Sequence, residues 1–338
     1  MWATAASQQI LDCVHEMSRD LVRCQYIGGQ LYVCEYKELV RADWYVQAQQ
    51  NWLQHLYPLL NSLRQEKVLG DLDFLLLVGD YPIRGAPIFC RWTLPKYGNY
   101  IVPPLPYWNP SSLPGPSAGP GWLDRHNAAV WRGTNTGFYE GWHLDLVRWM
   151  GRVPPGFRRR FVRLRAVELS RRFAWLDAGI TGWQQQPKDR FWLEKMFGPT
   201  HEWVDRDFFA KHRFILSLDG NVAPESLLVQ ISLGSTILRQ SSSYLFYGSD
   251  QLRPWVHYVP LRAELSDIER RWQWCQRNLD RCREIADAAK EAFDDLSNDQ
   301  IVRRFIAEQL ITYARSFRGT VRLYPNAKPV EIMADSNP

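Results

Sequence analysis

The chain has 338 residues and no apolar run of 18, so no membrane-spanning helix is expected. Its longest apolar stretch, Phe74 to Val78, is the length of one strand. No CxxC pair occurs among the six cysteines (Cys13, Cys24, Cys34, Cys90, Cys275, Cys282), which argues against a zinc site. Their even number is weak ground for disulfides. The chain lacks G-x-x-x-x-G-K-[ST], which excludes a P-loop, and no G-x-G-x-x-G follows a strand, which argues against a dinucleotide enzyme. H-E-x-x-H is absent too, and the seven histidines form no ligand-like cluster. Met1 to Gln9 carries neither a basic n-region nor an apolar h-region, so no signal peptide is read there. As it stands the chain reads as cytoplasmic, or as one missing an upstream targeting segment.

What is present fits a folded chain. Hydrophobic residues are 46%, charged residues 23% and the net charge is +5. The length suggests two domains, with enough core to need no disulfide or metal. Sixteen tryptophans point either to stacking platforms for sugars or bases, or to a core built from large side chains. Ile10, Val14, Met17 and Leu21 predict a helix over 6–22, and Trp52, Leu56, Leu59, Leu60 and Leu63 the apolar stripe of one over 43–63. The run Phe74–Val78 predicts a buried strand of a parallel sheet. Seven prolines between 103 and 121 mark the candidate boundary between two halves. Phe214–Leu218 and 235–240 predict strands, and the segment opened by Pro224 a helix. Ser266–Glu269 and Ser297–Gln300 read as helix caps. The order fits two α/β domains facing a cleft.

Asp80, beyond the Phe74–Val78 strand, stands where open α/β sheets bind ligands. A carboxylate there acts either as a general base or as a turn residue capping local amides. The triplets Asp71-Leu72-Asp73 and Asp205-Arg206-Asp207 have the composition of a metal-binding D-x-D. Asp71 and Asp73 precede their strand, and Asp205 and Asp207 fall where the pattern reads as a helix start, so both pairs read as solvated acids. Trp131–Gly137 reads as a small-residue turn able to cradle phosphate, with Arg132 adding charge. Gly151–Arg172 holds eight arginines against one glutamate and reads as the solvated basic face of an amphipathic helix. Nucleic-acid binding is its alternative.

Taken in order, Asp80-Tyr81-Pro82, Trp131-Arg132-Gly133-Thr134, Trp175–Gly179, Lys211–Asn221, Leu233-Gly234-Ser235, Leu252–Pro260 and Leu265-Ser266-Asp267 form one pattern. Over about residues 74 to 315 the chain resembles the CAP10-like glycosyltransferases of family 90, which include protein O-glucosyltransferases and capsule xylosyltransferases. The resemblance implies an α/β fold of the GT-B type, two Rossmann-like domains facing a donor/acceptor cleft. It implies an inverting, metal-independent transfer of glucose or xylose from a UDP-sugar to a hydroxyl of a glycan or protein. The expected domains are 1–122 (acceptor side, with the base), 123–300 (UDP-sugar) and 301–338, a helix and tail packing back on the first. Asp80 takes the position of the family's base. The implied donor site is Arg132, Gly133, Thr134, Thr136, Asp219, Gly220, Gly234 and Ser235.

The chain also departs from the family pattern. Ser226 stands where members carry an arginine after D-G, which leaves Arg132, Arg213 or Arg239 to supply the charge. The usual arginine beyond W-R-G-T is also missing, around Gly141 to His143. Tyr107, Trp108, Trp255 and Tyr258 are candidates for stacking on sugar or uracil; the last two are equally candidates for core. No cofactor, metal, nucleic acid or membrane span is expected. Family members work in the secretory lumen, so the ER or Golgi is the alternative location. Two further readings stay open: a metal-dependent transferase using Asp205 and Asp207, and an inactive carbohydrate- or nucleic-acid-binding protein on the same fold.

Overall fold

In chain order the first elements are α1 (Gln8–His15), β1 (Leu21–Ile27), β2 (Gln30–Cys34), α2 (Asp43–Gln65), β3 (Leu72–Leu77), β4 (Ile88–Cys90), β5 (Trp92–Thr93) and β6 (Tyr100–Ile101). Then come β7 (His126–Thr134), α3 (Val162–Ser170), β8 (Leu176–Gly182), α4 (Arg190–Phe197), α5 (Arg206–Ala210), β9 (His212–Ser217), α6 (Ser226–Ser232) and β10 (Thr236–Gln240). β11 (Leu245–Phe246), β12 (Val259–Leu261), α7 (Ile268–Arg277), α8 (Leu279–Leu296), α9 (Asp299–Ser316) and β13 (Ala327–Pro329) complete the chain. The computed structural model describes residues 6–15, 20–34, 43–104, 119–137, 149–158, 160–184 and 190–331. None of the described helices is long and apolar enough to cross a membrane.

The chain divides into two units. Unit 1 is Met1–Leu113, Tyr244–Tyr247 and Ser297–Pro338; unit 2 is Pro114–Ser243 and Gly248–Leu296.

Unit 1 holds a mixed sheet, in the order β13-β2-β1-β3-β4-β6. β3, β4 and β6 are parallel, whereas β1 runs antiparallel to both β2 and β3. The predicted strand therefore forms, but in a sheet that is parallel on one side only. The helix expected over 6–22 ends at His15, and Leu21 opens β1. Leu21 to Tyr26 are all buried between β2 and β3, a setting that sheet pairing satisfies and an isolated helical stripe does not. Leu75 and Leu77 face Leu11 of α1, while Phe74 and Phe89 pack with Tyr313 of α9. The stripe of α2 from Trp52 to Leu63 is buried as predicted.

Asp73 corrects the sequence expectation. It lies inside β3, wholly buried, and accepts from Arg23 Nε at 2.9 Å, Arg23 Nη2 at 2.8 Å and Gln25 Nε2 at 2.6 Å. Burial opposes the Arg23 charge, but its bonds to Asp73 and Asp12 prevail and hold its pKa above the usual value. Asp71 alone is the solvated acid, ion-paired with Arg64 at 2.7 Å.

Unit 2 holds an all-parallel sheet, in the order β12-β10-β9-β7-β8. Numbered along the chain this is 5-4-3-1-2, the doubly wound arrangement whose order reverses between its first and third strands. α3, α4, α7 and the start of α8 cover one face, burying Leu164, Leu193, Trp272 and Ile285. α6 buries Leu227, Leu228 and Ile231. Cys275 and Cys282 lie on α7 and α8. Both are buried, as are Cys24, Cys34 and Cys90. The helix caps differ from those expected. Asp267 ties Arg262 N and Arg271 Nε to the start of α7, and Asn298 caps α9 through Gln300 N and Ile301 N.

Candidate functional site

In a parallel sheet, residues that follow the strands gather at one edge and residues that precede them at the other. β7 and β9 end side by side at the point where the strand order of unit 2 reverses, the place where sheets of this kind form their ligand crevice. Thr134 closes β7, with Asn135 and Thr136 just beyond it, and Asp219 and Gly220 follow β9. One side chain joins them. Arg163, from the first turn of α3, donates through Nη1 to Thr134 O at 2.9 Å and to Thr136 Oγ1 at 2.5 Å. Its Nε donates to Asp219 O at 3.0 Å. Arg163 is therefore the residue of this candidate site that sequence reasoning missed, placed among solvated arginines when it joins the two segments. The available signal was its position one residue into the apolar run Val162–Leu164–Ala166, which must pack on the sheet.

Gly220 explains the glycine of the D-G pair. A Cβ there meets Thr136 Oγ1 at 2.6 Å and Arg163 Nη2 at 2.7 Å, so only glycine lets the two segments close on the guanidinium. The Thr136 hydroxyl accepts from Arg163 and keeps its proton to donate, the chemistry an anion needs. Asp219 N donates to Gln240 Oε1 at 2.9 Å, which ties the segment to β10.

The W-R-G-T segment is a strand rather than the expected turn, since β7 runs through Thr134. Trp131 is core and Gly133 leaves room for its ring. Arg132 faces the opposite side of the sheet, ion-paired with Asp177 at 2.8 Å and 5.1 Å from the centre of the Phe208 ring. There Arg132, Gly133 and Thr134 line a cavity of about 340 Å³ with Trp203, Ser226 and Gln230. Asp205 lines it too, while its Oδ1 caps α5 by accepting from Phe208 N at 3.0 Å.

Three expected donor residues stand elsewhere. Arg213 is the second residue of β9, over the Trp122 ring and donating to Leu123 O. Gly234 and Ser235 precede β10, and Ser235 Oγ accepts from Arg125 and donates to His212 O at 2.8 Å. All three occupy the N-terminal edge, about a strand length from the crevice. They brace the sheet, which corrects the expectation. Arg239 is buried on β10 with its guanidinium 5.0 Å from the centre of the Tyr258 ring; burial lowers its pKa against the opposing charges of Tyr258 and Asp219. Tyr258 thus holds an arginine. Trp255 packs against Trp274 at 4.8 Å and under Arg271, so it belongs to the core margin. The motif around it closes a tight turn, with Trp255 N donating to Tyr258 O and Arg253 N to His257 Nδ1. Tyr107, Trp108 and the segment Gly141 to His143 lie outside the described residues.

Asp80 belongs to unit 1. It sits three residues past β3, exposed, with Oδ1 accepting from Arg91 Nη2 at 2.7 Å. The same nitrogen donates to Val78 O at 2.9 Å, and the guanidinium lies over Trp92 at 4.3 Å, so the arginine itself is fixed. Asp80 Oδ2 makes no hydrogen bond among the described residues. Tyr81 and Asp20 crowd Gly79, where a Cβ would meet them at 2.7 and 2.6 Å, so this glycine sets the path into Asp80.

Residues 108–336 match the model of a family described as glycosyl transferase family 90. The chain is 28% identical over 294 residues to the uncharacterized protein 027R of Frog virus 3, covering 69% of this chain and 29% of that protein. It is 31% identical over 210 residues to the uncharacterized protein 035R of Invertebrate iridescent virus 3, covering 58% and 17%. It is 29% identical over 246 residues to protein O-glucosyltransferase 2 of Danio rerio, covering 69% and 45%. The chain thus spans less than half the length of each of these relatives.

Proposed function

The chain belongs to glycosyl transferase family 90, and on that premise we propose that it moves glucose or xylose from a UDP-sugar to a hydroxyl of a glycan or protein acceptor. The proposed arrangement is of the GT-B type, with the donor held by unit 2 and the base carried by unit 1. The observation that carries this reading is the convergence of the W-R-G-T and D-G segments on Arg163, at the reversal point of the unit 2 sheet. The Thr136 hydroxyl and the backbone around Gly220 are the groups that would meet the diphosphate.

Chemically, Asp80 removes the proton of the acceptor hydroxyl as its oxygen attacks C1 of the donor sugar. The C1–O bond to UDP breaks on the opposite face, so configuration inverts, and UDP leaves with the electron pair. The transition state has oxocarbenium character. Arg91 holds one carboxylate oxygen of Asp80 and leaves the other to take the proton. Arg163 and the crevice amides stabilise the charge that grows on the leaving diphosphate.

The test is UDP release from a panel of UDP-sugars in EDTA, with acceptor glycans or peptides, against Asp80→Asn. Turnover of one donor, abolished by the substitution, is expected. Turnover unchanged in Asp80→Asn would remove it as base. A metal-dependent reading has one observation in its favour, Asp205 at the cavity wall; activity lost in EDTA and restored by a divalent cation would select it.

A further inference from the structure

The two strands that carry the candidate site of unit 2 also start side by side, and each starts with a histidine. His126 opens β7 and His212 opens β9, in register with one another although 86 positions apart in the chain. Their ring centres stand 5.3 Å apart at an interplanar angle of 44°. His212 Nδ1 lies 2.9 Å from Phe208 O. A carbonyl oxygen only accepts, so Nδ1 carries the proton and the lone pair of the neutral ring sits on Nε2. A metal-ligating histidine is held in the same way, with its other ring N–H donated to a carbonyl or carboxylate. Burial lowers the His212 pKa against the bond to Phe208 O, and His126 and Arg132 add to the lowering, so the ring is neutral at pH 7. The Arg132 charge is itself offset by Asp177 at 2.8 Å. His126 is exposed, and its ring makes no hydrogen bond among the described residues.

We propose that His126 and His212 bind one divalent first-row transition ion of the Zn²⁺ type, through one imidazole nitrogen each. Metal–nitrogen bonds of about 2.0–2.1 Å put each ring centre about 3.1 Å from such an ion, and a tetrahedral angle then sets the two centres about 5.1 Å apart. The observed 5.3 Å meets that requirement with the strands where they are. No third His, Cys, Asp or Glu completes a metal-binding group among the described residues, so water fills the remaining positions. Imidazole selects Zn²⁺, Cu²⁺ and Ni²⁺ over Mg²⁺ and Ca²⁺, which take oxygen ligands. The pair occupies the N-terminal edge of the sheet, about a strand length from Thr134 and Asp219. An ion there ties β7 to β9 at their starts and braces the two strands whose far ends carry the W-R-G-T and D-G segments. The assignment stands apart from the transferase reading and survives its failure.

The test is calorimetric titration of the untagged full chain, stripped with EDTA and dialysed, with Zn²⁺, Cu²⁺ and Mg²⁺ salts in turn. Zn²⁺ is expected to bind, Cu²⁺ more tightly, and Mg²⁺ not at this pair. His126→Phe keeps a ring beside His212 and removes the nitrogens. It should weaken Zn²⁺ by at least roughly 10- to 100-fold, the cost of losing even a supporting group around a metal. His212→Phe should weaken it as much. Because His126 is exposed, its substitution leaves the fold intact and keeps the assignment testable if His212 variants misfold. With Cu²⁺ bound, the nitrogen splitting in electron paramagnetic resonance should count two imidazoles, and one in His126→Phe. Saturating Zn²⁺ should raise the urea midpoint of the natural chain and leave that of His126→Phe unmoved. No binding of Zn²⁺ or Cu²⁺ by the natural chain overturns the assignment. So does Zn²⁺ affinity unchanged in His126→Phe, which would put the ion on other residues.

Discussion

Each unit sets an arginine against its sheet, buried in unit 1 and half-buried in unit 2, and the two do different things. Arg23 in unit 1 lies mid-strand, its guanidinium locked to the carboxylate of Asp73 on the neighbouring strand, and both side chains are fully buried. Arg163 in unit 2 reaches past the strand ends and holds carbonyls and a hydroxyl of two loops. A charge in the middle of a sheet ties strand to strand; a charge beyond the strand ends shapes a crevice. On the proposed function, the difference separates a buried ion pair that holds unit 1 together from the residues assigned to chemistry, which follow β3 in unit 1 and stand at the reversal of strand order in unit 2.

Substitutions can break that division. The largest effect is expected at Asp80, where exchange for Asn should lower transfer by about 10²- to 10⁴-fold, the usual worth of a general base. Its exposed ion pair should leave the urea midpoint almost unmoved. Next is Arg23→Ala, which strands a buried carboxylate and should cost about 3–5 kcal/mol of stability by urea unfolding. UDP binding by whatever protein remains folded should be unchanged. If Arg23→Ala instead abolished UDP binding in folded protein, the division would fail.

Gly220→Ala comes third. It forces Thr136 and Arg163 apart and should cost about 1–3 kcal/mol as an overpacked site, with donor KM rising more than stability falls. Gln230→Leu is smaller and opposite in sign. Removing an unpaired buried amide oxygen should raise stability by about 1 kcal/mol, seen as a higher urea midpoint. The smallest effect is in pH. Burial lowers the pKa of both His212 and His257, so their folded forms bind fewer protons than the unfolded chain. Unit 2 stability should hold above the ordinary histidine pKa of about 6.5 and decline as pH falls below it, seen as a falling urea midpoint.

Much of the local structure could be read from the residues. The apolar run at 74–78 became β3, Phe214–Leu218 became β9, and the stripe from Trp52 to Leu63 became the buried side of α2. These are segments whose burial pattern is continuous or periodic over several residues, so the signal is local. Errors arose where a distant partner decided. Leu21 keeps a helical spacing with Met17 but pairs with Leu77, fifty-six positions away. Asp73 has the character of a solvated acid until Arg23, fifty positions earlier, is laid beside it.

The site divides in the same way. Asp80, Thr136, Asp219 and Gly220, named from their motif segments, stand past strand ends, and Thr134 closes one. Arg213, Gly234 and Ser235 belong to segments just as distinctive but stand on the other edge, because a motif marks residues without saying which edge of a strand they occupy. Trp203 and Gln230 carried no motif at all.

By itself, then, the sequence determined the family, the α/β elements and the segments that carry small, polar or acidic residues, since these follow from composition, periodicity and residue order along one stretch of chain. Only the tertiary structure decided which of eight clustered arginines joins the two loops and which acid is buried. Those properties belong to pairs of residues brought together across the sheet, and their physical cause is desolvation, which no single stretch of sequence experiences alone.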